Sequence, residues 1–135
     1  MVATLNFIGH IKTPYQTIQD CPNNISLDGP TCQLVIDGEY RDGMLGLQPG
    51  QNVLILYWFE NTKRNEMIQG RGIGSSKDGE SIGTFALRSP HRPNPIGAAT
   101  LPIEAIDNGV IFVKGLDCLN GTKLLDIKPA ILLEA

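Results

Sequence analysis

A chain of 135 residues, 41% of them apolar, is long enough to bury one hydrophobic core and too short for two. Its net charge of −3, from 11 Lys and Arg against 14 Asp and Glu, excludes a protein that grips nucleic acid by overall charge, so any anion site must be local. The cysteines Cys21, Cys32 and Cys118 form no C-x-x-C pair, and His10 and His91 are the only imidazoles, so no metal is expected.

In chain order, the first strand is predicted over Leu5–Ile11, ended by Pro14, which cannot donate to a ladder. Residues 16–30 are polar and irregular. Thr31–Ile36 is a second strand, closed by Asp37-Gly38, a dipeptide suited to a turn with positive φ. Leu47-Gln48-Pro49-Gly50 is another turn. The run Val53–Phe59, rich in aliphatic and aromatic residues, fits a strand buried on both faces and is far too short for a membrane helix. Residues 60–82 form the expected mobile loop. Gly83–Leu87, Ala98–Ile103, Val110–Lys114 and Lys123–Lys128 complete the β pattern, with Asp107-Asn108-Gly109 as a hairpin turn. No stretch of ten residues keeps a capped 3.6-residue apolar period, so the fold class is all-β, and closure into a barrel or sandwich would hide the strand edges. With no signal-like segment before Pro14, the chain is expected to be cytoplasmic, with reduced thiols and no membrane partner.

Three stretches invite a chemical reading. Arg88-Ser89-Pro90-His91-Arg92-Pro93-Asn94-Pro95-Ile96-Gly97 is stiffened by three prolines and carries two guanidinium forks and an imidazole. It suits a carboxylate or phosphate; a rigid exposed connector is the plain alternative. Gly70-Arg71-Gly72-Ile73-Gly74 meets neither the P-loop nor the Rossmann spacing and is expected to be a flexible lid or loop. Asn120-Gly121 is a hairpin signal whose backbone can also line a pocket; beside it, Asp117 and Asp126 are a carboxylate pair of unproven convergence. Cys118 suits packing better than nucleophilic attack.

The run Gly83–Gly97, then Gly115-Leu116-Asp117 and Asn120-Gly121-Thr122, then Leu125-Asp126-Ile127-Lys128-Pro129, resembles the signature of the TsaA-like, or TrmO, family. Ile8–Tyr15 and Gly46-Leu47 resemble the family's N-terminal part. The resemblance spans nearly the whole chain in order. It implies one domain over residues 1–135, a single-sheet closed β-barrel with long loops and no Rossmann fold. It also implies a homodimer that uses S-adenosyl-L-methionine to methylate N6 of threonylcarbamoyladenosine at position 37 in the tRNA anticodon loop.

Carried over by position, the cofactor contacts are Pro22, Asn23, Asn24, Glu60, Asn61, Arg88, Ala98, Leu119, Asn120, Gly121 and Thr122. Pro22-Asn23-Asn24 departs from the family's Pro-Arg-Gln pattern, and Glu60 replaces a frequent His. His91 and Arg92 are expected to face the substrate. Asn94, or a backbone carbonyl beside it, is expected to accept a hydrogen bond from the N6–H as the methyl arrives, with Asp126 as the second catalytic candidate. Several bacterial members carry a further C-terminal domain with an Asp-Pro-Arg-x-x-Tyr motif, which is not found before Ala135. A small-molecule methyltransferase and a non-catalytic S-adenosylmethionine module therefore stand as alternatives.

Overall fold

Period-two alternation builds the strands. In β2 (Thr31–Ile36) Cys32, Leu34 and Ile36 are buried while their neighbours are exposed or half-buried, and β3 (Asn52–Trp58) repeats this with Val53, Ile55 and Tyr57. The expectation that the apolar run in β3 is sealed on both faces is thus corrected: Leu54, Leu56 and Trp58 are only partly covered. The computed structural model describes residues 1–70 and 81–131, which divide into two compact units, residues 1–58 with 98–131 and residues 59–97.

The first unit is a seven-stranded sheet. With β1 (Gly9–Lys12), β6 (Ile96–Pro102), β7 (Ala105–Asp107), β8 (Val110–Lys114) and β9 (Thr122–Pro129), its order is β6-β3-β9-β1-β2-β8-β7, and two short strands, β4 (Ile68–Gly70) and β5 (Ser81–Gly83), lie outside it. The pairs β1–β2, β1–β9, β2–β8, β3–β9 and β7–β8 are antiparallel. The two edge strands are consecutive in the chain and joined by Ile103-Glu104. There the Ile103 N–H donates to the Gln51 carbonyl, the Ile103 carbonyl accepts from Gly50, and the Glu104 N–H donates to the Phe112 carbonyl. The core is Ile11, Leu34, Ile55, Tyr57, Leu101, Ile111, Leu124 and their buried neighbours, all in this unit.

The Asn108-Gly109 hairpin has positive φ at both residues, 46° and 79°, as a tight turn between twisted strands requires. Gly115 (φ 86°) is needed for a second reason: a side chain there would strike the Ser26 carbonyl, and the Ser26 N–H donates to the Gly115 carbonyl at 2.9 Å.

Four further expectations are corrected. The opening strand begins at Gly9, leaving Leu5–Ile8 outside it. Asp37-Gly38 does not form a positive-φ turn but opens a 3₁₀ helix over Gly38–Met44. Within Gly83–Leu87, Gly83 ends a strand and Thr84–Ala86 form a 3₁₀ helix. Asn120-Gly121 makes a turn, not a hairpin, because β8 and β9 are not neighbours in the sheet. In the second unit β4 (Ile68–Gly70) pairs antiparallel with β5 (Ser81–Gly83); most of the Gly-rich stretch lies outside the described residues.

Candidate functional site

In residues 59–97 the Pro-rich loop is braced by a set of polar contacts. Three prolines remove three amide donors, and side chains from elsewhere in the unit take the carbonyls instead. The His91 carbonyl accepts from Gln69 Nε2 at 2.7 Å and from the buried Thr84 hydroxyl at 3.0 Å. Gln69 Nε2 also donates to Thr84 Oγ1 at 2.8 Å, which closes a three-membered network. Arg92, expected to face substrate, turns Nη1 back onto the Leu87 and Ser89 carbonyls at 3.0 and 3.1 Å. It therefore braces its own loop. Arg64 donates Nε to the Pro93 carbonyl at 2.7 Å and Nη2 to Asn94 Oδ1 at 3.4 Å. The Lys63 N–H donates to His91 Nδ1 at 3.0 Å. Asn94 and Arg88 are exposed, and His91 is half-buried.

The positions of Gln69, Thr84 and Arg64 as braces had no sequence signal. A threonine between Gly83 and Phe85, or an arginine in a polar run, looks like any loop residue until the chain folds back on it.

In the sheet unit the turn Leu119–Thr122 is fixed by the end of β1. Thr13 donates its hydroxyl to the Cys118 carbonyl at 2.8 Å and its N–H to Asn120 Oδ1 at 3.1 Å. The Asn120 N–H donates to the Tyr15 carbonyl and the Gly121 N–H to that of Ile11, both at 2.8 Å. Thr122 closes the turn, donating its N–H and hydroxyl to the Leu119 carbonyl at 3.2 and 2.6 Å. Asn120 and Gly121 stay exposed. Thr13 is thus a second brace that sequence reasoning did not single out.

Burial pushes the Cys118 thiol up to about 12, with the Asp117 carboxylate adding to the rise and a Thr122 hydrogen bond opposing it. A thiol so held is protonated at neutral pH and is a poor nucleophile. Asp117 accepts from the buried Tyr57 hydroxyl at 3.0 Å. Asp126 accepts from the next N–H, that of Ile127, at 2.9 Å and pairs with Lys128 at 3.5 Å, so each carboxylate has its own partners. Asp126 also borders a concavity of about 480 Å³ with Ile8, Ile36, Tyr40 and Met44. Pro22, Asn23 and Asn24 are exposed, as are Glu60 and Asn61, the latter at φ 58°; Ala98 is half-buried in β6. Among the described residues no group of three or more His, Cys, Asp or Glu is arranged to hold a metal.

A sulfonium amino acid needs a cation for its carboxylate and oxygen lone pairs near its positive sulfur. Arg88, exposed in one unit, has the charge that such a carboxylate needs, and the exposed backbone turn at Asn120-Gly121 of the other unit offers oxygen lone pairs, so the residue types present are compatible with such a cofactor.

The fold and these features define a β protein built on antiparallel pairs with a braced Pro-rich loop, and among the described residues there is no α-helix of the kind a nucleotide-binding α/β domain requires. The family described as the tRNA-methyltransferase O N-terminal domain matches residues 10–132, and the chain belongs to it. It is 40% identical over 127 residues to the probable S-adenosyl-L-methionine-binding protein VirR of Rhizobium radiobacter, covering 94% of this chain and 70% of VirR. It is 36% identical over 89 residues to the human tRNA (adenine(37)-N6)-methyltransferase, covering 65% of this chain and 20% of that protein. A crystal structure of TrmO superposes with a TM-score of 0.73 at 25% identity, covering 97% of this chain and 58% of the TrmO chain. No helix among the described residues is long and apolar enough to cross a membrane.

Proposed function

We propose that this chain binds S-adenosyl-L-methionine and methylates N6 of an adenosine in tRNA, the threonylcarbamoyl-modified one at position 37. The family match across residues 10–132 carries this reading. Charge segregation favours an RNA substrate over a small neutral one. Residues 59–97 hold six cations, Lys63, Arg64, Arg71, Lys77, Arg88 and Arg92, against four carboxylates, while the rest holds five cations and ten carboxylates. The acidic whole conceals a cationic part, as a phosphate-binding surface needs.

The bound cofactor supplies an electrophilic methyl group. Arg88 pairs with its α-carboxylate, and Pro22–Asn24, Glu60, Asn61, Ala98 and Leu119–Thr122 line its remainder. His91, Arg92 and Asn94 contact the modified adenosine, and the braces on the loop lower the entropic cost of orienting them at binding. Asp126 is the carboxylate to be tested as acceptor of the N6 proton, by Asp126→Asn. On the same reading the sheet closes into a barrel, which the shared Ile103-Glu104 corner favours, and the chain acts in the cytoplasm as a homodimer.

The test is transfer of labelled methyl from S-adenosyl-L-methionine to tRNA with and without threonylcarbamoyladenosine. Incorporation confined to the modified tRNA is the expected result. A second reading, binding without catalysis, draws on VirR being named only a probable binding protein. Saturable cofactor binding with no transfer to either tRNA would select it.

A further inference from the structure

The Pro-rich loop is polarised. The Lys63 N–H donates to His91 Nδ1, so that nitrogen carries a lone pair and the neutral ring bears its proton on Nε2, which has no partner among the described residues. A guanidinium has only donors, so the contact from Arg64 requires Asn94 to turn Oδ1 toward it. Arg64 also fixes the adjoining Pro93 carbonyl. The amide's Nδ2–H₂ is then directed away from Arg64, and it too has no partner among the described residues. No carboxylate occurs anywhere from Arg88 to Gly97, and both arginines there are donors as well.

We infer that this loop is a donor face which binds an anionic oxygen of the substrate beside the methylated nitrogen, and that Asn94 acts there through Nδ2–H₂ instead of accepting a hydrogen bond from N6–H. Arg64 is the positioning residue that sets this polarity. The inference rests on the proposed RNA methylation for the identity of the substrate, and reverses the role that the sequence suggested for Asn94. Two groups of such a substrate share the required chemistry: the carboxylate of the threonylcarbamoyl substituent and a backbone phosphate. An isolated amide oxygen would meet neither, because acceptors repel acceptors.

The experiment uses the full chain with an anticodon stem-loop RNA whose threonylcarbamoyl group is either a free acid or a methyl ester. Binding and methyl transfer are measured for wild type, Asn94→Asp and Arg64→Ala. Asn94→Asp keeps an acceptor for Arg64 but removes the Nδ2 donor, so it separates the two roles. Wild type is expected to bind the acid about 10-fold more tightly than the ester, a preference lost in Asn94→Asp and reduced in Arg64→Ala, at unchanged cofactor affinity. If the phosphate is the partner, acid and ester bind alike and Asn94→Asp weakens both, less so at high salt. Asn94→Asp that binds and methylates both RNAs like wild type overturns the donor face while sparing the proposed reaction. Wild type that binds the RNAs with the expected preference but methylates neither overturns the reaction while sparing the donor face. Wild type that binds neither overturns both.

Discussion

The sheet unit and the loop unit are stabilised by different chemistry. Among the described residues every buried aliphatic, aromatic or cysteine side chain belongs to residues 1–58 and 98–131, whereas residues 59–97, where Pro95 is the buried apolar residue, rely on Gln69, Thr84, Arg64 and Arg92 reaching loop carbonyls. Hydrophobic burial is non-directional and tolerates an acidic surface; hydrogen bonding fixes the direction of each donor and acceptor. A ligand loop that must present particular groups is better served by the second, and a scaffold by the first.

The largest effect that probes this contrast is core truncation. Leu34→Ala, at a fully buried site, is expected to cost about 2–5 kcal/mol in urea unfolding, whereas Phe85→Ala, 78% exposed, is expected to change stability by under about 0.5 kcal/mol. A large loss from Phe85→Ala would break the comparison, since the loop unit would then depend on apolar contact after all.

The second effect follows from Cys118. Its folded value, raised from 9.0 to about 12, means that the folded chain holds the proton more tightly than the unfolded one between those limits. Stability from this group is therefore present below pH 9.0 and lost as pH rises toward 12, with a slope of at most about 1.4 kcal/mol per pH unit. Urea midpoints across that range should show the fall in wild type and a shallower one in Cys118→Ala; equal slopes would deny the burial argument.

Thr84→Val keeps the shape of a buried side chain but removes the hydroxyl between Gln69 and the His91 carbonyl. A cost of about 1–3 kcal/mol is expected, with greater proteolysis of the Pro-rich loop. The smallest effect should come from Glu66→Ala, which removes the exposed ion pair with Lys63 at 3.3 Å and is expected to change stability by under about 0.5 kcal/mol. If Glu66→Ala exceeded Thr84→Val, surface charge and not the internal network would hold the unit.

The sheet was the more legible half. β2 and β8 match the predicted Thr31–Ile36 and Val110–Lys114 because alternation is a local property, and Asn108-Gly109 carries its own turn geometry. What a single strand's composition cannot contain is its cover: β3 is apolar from Val53 to Trp58, yet only one face is sealed, because that depends on what packs there. The 3₁₀ segments at Gly38–Met44 and Thr84–Ala86 are too short for a periodic signal. At the site, the Pro-rich loop announced itself through its prolines and arginines. The division of labour within it did not, since Arg92 bracing the loop and Arg64 orienting Asn94 depend on residues brought back by the chain from other turns.

The most direct test of the account is calorimetric titration of S-adenosyl-L-methionine into wild type and Arg88→Ala, with thermal unfolding of both. Saturable binding to wild type is expected, weakened by about 10- to 100-fold in an Arg88→Ala that still unfolds cooperatively. Arg88→Ala that binds the cofactor as tightly as wild type would contradict it.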